Sequence, residues 1–158
     1  MTSFAIVGVS RDTRKFGYKV FSSLKKSGQK VYPINPNAKG HLGGLKCYGS
    51  LKELPEKPDV VVTVVPPKIA LKAVKEASKL GITEIWMQKG SESEEAIEFC
   101  KQKSIYCTTN ACIIITNERS YRKDKQKPLA GSADSAGHDY ARKHDLNHNS
   151  KLILHNPI

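Results

Sequence analysis

The stretch FAIVGVSRDTRKFGYK, Phe4 to Lys19, decides the reading of this chain. A β-branched and apolar run closes at Gly8 and Ser10, and a basic loop then leads into a helical pattern. Strand, glycine turn and helix N-terminus is the arrangement by which nucleotide-binding folds offer backbone N–H groups to phosphate. The loop carries Arg11, Arg14, Lys15 and Lys19 against the single carboxylate of Asp12, so its ligand is expected to be rich in phosphate.

Working outward, apolar runs alternate with amphipathic stretches through residues 4–116. Strand one is FAIVGV, and a helix follows from about Gly17 to Ser27 with Val20, Phe21 and Leu24 on its inner side and Gly28 as its stop. KVYPI is strand two, closed by Asn35 and Pro36. Ser50 and Glu53 have capping-box spacing and open a single helical turn. DVVVTVV is strand three, stopped by Pro66 and Pro67; a helix from about Lys68 to Leu80 turns Ala70, Val74 and Ala77 inward. EIWMQ is strand four, Ser91 to Glu94 cap a helix reaching about Lys103, and SIYCTT is strand five. Continuous apolar strands interleaved with helices predict an α/β, Rossmann-like, doubly wound parallel sheet of five strands with helices on both faces. Strand one is expected at the centre, in the order 3-2-1-4-5.

At 158 residues, with 39% hydrophobic and 26% charged residues, the chain has the composition of an ordinary globular protein. It contains no apolar run of membrane-spanning length and no signal-peptide pattern, so a cytoplasmic location is expected. Cys47, Cys100, Cys107 and Cys112 form no CxxC pair and no zinc-ligand spacing, and are expected to be reduced thiols. The net charge of +11 is spread along the chain: residues 1–116 hold 18 basic and 10 acidic residues, and residues 117–158 hold 8 and 5. Most lysines fall on helix faces that solvent would cover, and the loop cations are the more informative subset. Two domains are expected: 1–116 as the nucleotide-binding unit, and 117–158 as a basic, polar C-terminal extension, disordered or loosely attached. KLILH near the end could add an edge strand, and His144 and His148 stand at i, i+4 without surrounding structure to make a metal site.

In doubly wound sheets the ligand lies at the carboxyl ends of the strands. Those ends collect Gly8, Val9 and Ser10; Asn35 and Pro36; Pro66 and Pro67; Gln88, Lys89 and Gly90; and Asn110, Ala111 and Cys112. No Asp, Glu or His among them stands ready as a general base, which favours holding an anion over making or breaking bonds. A dinucleotide fingerprint would require glycines at 8, 10 and 13, where the chain has Gly8, Ser10 and Thr13. The acidic residue expected after strand two is Asn35. No P-loop occurs.

Together IVGVSRDTRKFGYKV, VYPINPNAKGHLGGLKCYGSLKELP, DVVVTVVPP, EIWMQKG and NACIII resemble the small stand-alone CoA-binding proteins. Their domain is similar to the CoA-binding domain of the succinyl-CoA synthetase alpha chain. The resemblance covers residues 4–116. It implies that Gly8, Ser10 and Arg11 cradle the CoA diphosphate, with Arg14 and Lys19 adding charge there or near the ribose 3′-phosphate. It places Asn35, Pro36 and Lys39 beside the adenosine, Lys39 being another candidate for the 3′-phosphate, and has Val65 and Pro66 line the adenine or ribose pocket. Gln88 and Gly90 would contact the pantetheine arm, with Asn110 and Cys112 near its end, where Cys112 could form a mixed disulfide with CoA on oxidation. Cys112 is followed by three isoleucines, where the family pattern has a basic residue and then an acidic one or a histidine.

The function expected is therefore binding of coenzyme A or a short acyl-CoA without catalysis of its own, as a homodimer or beside an acyl-CoA synthetase-type partner. His41, within GHLGG, reads as a loop residue rather than a phosphoryl carrier. The alternatives are an NAD(P)-binding oxidoreductase or redox sensor, and a basic nucleic-acid-binding protein; the chain has no recognisable nucleic-acid reader motif, and Tyr121 and Tyr140 are the only aromatics of its tail, so neither a nucleic-acid nor a membrane partner is expected.

Overall fold

The structure, a computed structural model, describes residues 1–117. The expected C-terminal extension, with KLILH and the four tail histidines, lies outside the described residues. Five strands form a parallel sheet: β1 (Ser3–Val7), β2 (Lys30–Ile34), β5 (Val60–Thr63), β6 (Glu84–Met87) and β7 (Tyr106–Thr108). A small antiparallel hairpin, β3 (His41–Leu42) and β4 (Leu45–Lys46), stands apart from them.

The class is the one expected, but the strand order is not. The sheet runs β2-β1-β5-β6-β7, which in the sequence-derived numbering is 2-1-3-4-5 rather than 3-2-1-4-5. Phe4 pairs with Val31 on one side and with Val60 on the other, so β1 is second from the edge. The reason lies in residues 35–59. That segment carries the hairpin and then folds along the outer edge of β2, where Tyr48 N–H donates to Pro33 and Asn35 N–H donates to Tyr48. With that edge taken, β5 pairs on the far side of β1. Asp59 fixes its entry, its carboxylate accepting from Ser3 N–H and Oγ–H at 2.8 Å each.

The inner strands β1, β5 and β6 are buried almost throughout, with helices over both faces of the sheet. One layer holds α1 (Phe16–Lys26), whose Val20, Phe21 and Leu24 pack on Ile6, Val31, Val62 and Trp86. A helical stretch at 113–117 joins the same layer through Ile113. The other layer holds α2 (Pro67–Lys79) and α3 (Glu94–Gln102), packed through Val74, Ala77, Ala96 and Cys100 on Val61, Ile85 and Met87. Ser93 caps α3 by accepting from Ala96 N–H at 3.1 Å. At Ser50 the capping-box spacing yields a 3-10 turn, Leu51–Glu53, in which Glu53 takes the Gly49 N–H at 3.0 Å. Among the described residues no helix is long and apolar enough to cross a membrane.

Candidate nucleotide-binding site

Since α1 leaves β1 on one face and α2 leaves β5 on the other, the chain diverges at the carboxyl ends of these two neighbouring strands. That is the topological switch point where doubly wound sheets open a crevice. The two strand exits are pressed together there. Gly8 has φ +105°, and a Cβ on it would lie 2.3 Å from Val64 O and 2.7 Å from Val65 Cγ1. Gly8 N–H donates to Ile34 O at 2.9 Å and Val64 N–H to Val7 O at 2.8 Å, so three strand exits meet at this glycine. Gly17, in the first turn of α1, touches the same place: its Cβ would stand 2.1 Å from Gly8 O. The sequence reading used Gly17 only as a helix start. Its signal was a glycine inside a helix, where propensity disfavours it.

Residues 10–15 form the turn between β1 and α1. Ser10 Oγ accepts from Asp12 N–H at 3.0 Å and shapes the loop. The Asp12 carboxylate accepts from Arg14 through Nε and Nη2, both at 3.0 Å, and from the Arg14 backbone N–H. Those bonds to Arg14, with Lys15 nearby, hold the Asp12 carboxyl below its usual value and push the Arg14 guanidinium up. Arg11 is engaged elsewhere, donating to the carbonyls of Lys39 and His41 and so tying the β1–α1 turn to the β3–β4 hairpin. Lys15, Lys19 and Lys39 are exposed and make no side-chain bond among the described residues. No acidic residue stands in the first turn of α1, so its positive dipole end is unopposed within the helix.

The predicted residues are largely brought together. Asn35 Nδ2 donates to Val9 O at 2.8 Å, and Asn35 Oδ1 accepts from Asn37 N–H at 2.9 Å, so this amide braces β2 against β1. Lys39 joins through Arg11, and Val65 through its contact with Gly8. Pro36 and Pro66 are exposed at the exits of β2 and β5, Pro66 in the N-cap position of α2. Gln88 is only 2% exposed and is tied to β5 by its N–H donating to Thr63 O at 3.1 Å. Trp86 Nε1–H is shared between Gln88 Oε1 at 3.3 Å and Ala111 O at 3.2 Å, which draws the 110–112 loop to the exit of β6. Asn110 there has φ +58°, and half-buried Cys112 begins the last helical stretch by accepting from Thr116 N–H and Oγ1–H at 3.1 Å. Gly90 N–H donates to Glu92 and Arg14 to Asp12, bonds that reach no other predicted residue, and Lys19 lies along α1 on a groove shared with Ile114 and Asn117.

Two features of the site escaped the sequence. Ser91 is buried and spans β5 and β6: its Oγ lies 2.6 Å from Val65 O and 3.1 Å from Thr63 O, and accepts from Val65 N–H at 3.0 Å. Gln88 Nε2 and Thr63 Oγ1, at the exits of the same two strands, are buried without hydrogen-bond partners among the described residues. A buried orphan donor is costly. Among the described residues no cluster of His, Cys, Asp or Glu could hold a metal ion.

A Pyrococcus furiosus acetate–CoA ligase (ADP-forming) II subunit alpha is 39% identical over 79 residues, 49% of this chain but 17% of that subunit. An Archaeoglobus fulgidus ADP-forming acetate–CoA ligase II is 37% identical over 95 residues, 59% of this chain and 14% of that enzyme. The chain thus spans under a fifth of the length of these curated relatives. Among solved structures, a conserved hypothetical protein from P. furiosus superposes with a TM-score of 0.69 at 39% identity, covering 73% of this chain and 98% of that one. One from Pyrococcus horikoshii OT3 gives 0.70 at 31% identity, with 73% and 81% covered. The family model described as "CoA binding domain" matches residues 2–118, and the chain belongs to that family.

Proposed function

We propose that the protein binds coenzyme A or a short acyl-CoA in the crevice between the exits of β1 and β5. The observation that carries this reading is the pressed contact of Gly8 with Val64 and Val65 beneath a cation-bearing turn, in a chain of the CoA-binding domain family. In this reading the diphosphate lies on the 8–11 turn at the N-terminus of α1, where backbone N–H groups and the helix dipole favour an anion. Arg14, Lys15 and Lys39 are the cations for it and for the 3′-phosphate, with Lys19 farther along α1. Arg11 acts by holding the Lys39 segment against the turn. Val65, Pro66, Asn35 and Pro36 flank the adenosine. The pantetheine arm runs toward Gln88, Gly90, Asn110 and Cys112, where the orphan Gln88 amide donates to one of its carbonyl oxygens.

Residues 1–116 form the binding unit, and 117–158 a basic extension to it. In this reading these residues contribute ligand binding, beside an acyl-CoA synthetase-type partner. A thermal-shift panel with CoA, dephospho-CoA, NAD and NADP tests the reading. A ligand at about 100 times its Kd adds roughly 2.7 kcal/mol to the folded state. A response to CoA that exceeds those to NAD and NADP is expected; a response to NAD(P) alone would move the assignment to an oxidoreductase or redox sensor.

A further inference from the structure

The layer outside the sheet on the α1 side contains a groove of about 520 Å³, walled by α1 and the 113–117 stretch. Thr13 stands at one end, beside the phosphate-type turn; Ser27 and Asn117 close the other, joined by a 2.8 Å bond from Asn117 Nδ2 to Ser27 Oγ. Between them α1 presents Tyr18, Lys19, Ser22, Ser23 and Lys26. Lys19 and Lys26 are seven residues apart, about 10 Å along the helix axis, and both are exposed. Tyr18 is half-buried, its ring edge against Phe21.

We propose that this groove docks single-stranded nucleic acid, with Lys19 and Lys26 on phosphates and Tyr18 under a base. A groove that combines cations with an aromatic platform is how single strands are held without sequence preference, and hydroxyls such as those of Ser22 and Ser23 are common phosphate donors. Tyr18 and Ile114 are the large apolar side chains of the wall, and both pack against the core beneath, so the groove presents no cluster of aliphatic anchors to a protein partner. Charge continues in the same sense along the chain: beyond Asn117 the sequence places Arg119, Arg122, Lys123, Lys125 and Lys127 within eleven residues, against Glu118 and Asp124. The groove meets the CoA crevice only at Thr13 and Lys19, so the test is placed on Lys26 and Tyr18, which the CoA reading does not use.

The test is fluorescence anisotropy of the full chain with a labelled 12-nucleotide oligo(dT), from 50 to 200 mM salt. Wild type binds at 50 mM and weakens on a log–log line. Lys26→Glu weakens binding at 50 mM by about fivefold or more and flattens the slope by about 0.7, the value of one single-strand phosphate contact. Lys72→Glu, the same charge change on α2 in the opposite layer, changes binding less than twofold. Tyr18→Leu weakens binding and leaves the slope unchanged. No binding at 50 mM, or equal losses in the Lys26 and Lys72 variants, overturns the proposal. So does displacement by a poly-glutamate of equal charge as efficiently as by unlabelled oligo(dT), which would point to an acidic protein instead. A retained melting temperature shows that each variant is folded.

Discussion

Gly17 in the first turn of α1 lies so close to Gly8 that a Cβ at position 17 would stand 2.1 Å from the Gly8 carbonyl oxygen. The contact sets the helix N-terminus directly over the turn that leaves β1, and so it sets the distance at which backbone N–H groups meet a ligand. Backbone against backbone cannot yield as a flexible side chain could. Gly17→Ala is therefore expected to destabilise the protein by about 3 kcal/mol or more, as strained and overpacked sites do. Gly8→Ala, with its positive φ and a 2.3 Å approach to Val64 O, is expected to be at least as damaging. Gly90→Ala is the contrast: its φ is +94° but nothing lies within 4 Å, so only the conformational cost of about 1 kcal/mol applies. Chemical denaturation of the three variants checks the order.

Asp12 occupies the guanidinium of Arg14 and adds the one negative charge of the turn. Asp12→Asn keeps an acceptor for the Arg14 backbone N–H while releasing the charge. CoA affinity at pH 7 is expected to rise by about threefold at low salt, and the gain to shrink at 0.5 M salt as screening removes it. Calorimetric titration of both proteins at the two salt concentrations measures this; weaker binding by the variant would place Asp12 on the ligand side of the balance.

Gln88 holds a buried donor with no partner among the described residues, while its oxygen takes the Trp86 indole N–H. Gln88→Met removes the orphan and leaves Trp86 its bond to Ala111 O. The free protein is expected to melt at or above the wild-type temperature, since an unsatisfied buried donor costs about 1–3 kcal/mol. Its CoA affinity is expected to fall about tenfold, the worth of one buried hydrogen bond. Loss of stability together with unchanged affinity would make Gln88 a purely structural residue.

Away from the site, Glu56 accepts from Lys30 Nζ and from Tyr32 OH at 2.6 Å each. These bonds, Lys30 first, hold its carboxyl below the ordinary 4.5. A depressed carboxyl stabilises the fold in full above about pH 4.5 and loses that contribution as pH falls through its folded value. Glu56→Gln is accordingly expected to melt below wild type at pH 7, with the difference shrinking as pH falls below 4.5. Paired melting curves across pH 3–7 record it.

How much of this was legible beforehand follows from what sequence can encode. The continuous runs at Val60–Thr63 and Glu84–Met87, and the inward stripe Val20, Phe21 and Leu24, identify buried strands and an amphipathic helix because burial alone dictates their composition. The strand exits follow from those runs, which is why Gly8, Asn35 and Gln88 could be named in advance; Val65 is named only through the family resemblance. Strand order depends on the edge of β2, and that edge is closed by main-chain bonds of Tyr48, which leave no residue-type signature. The β3–β4 hairpin is only four residues of strand in a glycine-rich loop, too short for periodicity to register. Arg11 looked free for phosphate because its partners are the backbone carbonyls of Lys39 and His41, 28 and 30 residues away. Ser91 was noted only as part of a helix cap; its hold on Val65 depends on β5 and β6 being neighbours.

The measurement that bears most directly on the central claim is isothermal titration of the purified chain with CoA and with dephospho-CoA under identical conditions. One-to-one binding of CoA is predicted, with dephospho-CoA weaker by about tenfold for loss of a charge-assisted phosphate contact, and with Lys39→Ala erasing most of that difference. Binding of neither ligand at millimolar concentration, by a chain that melts cooperatively, would contradict the account.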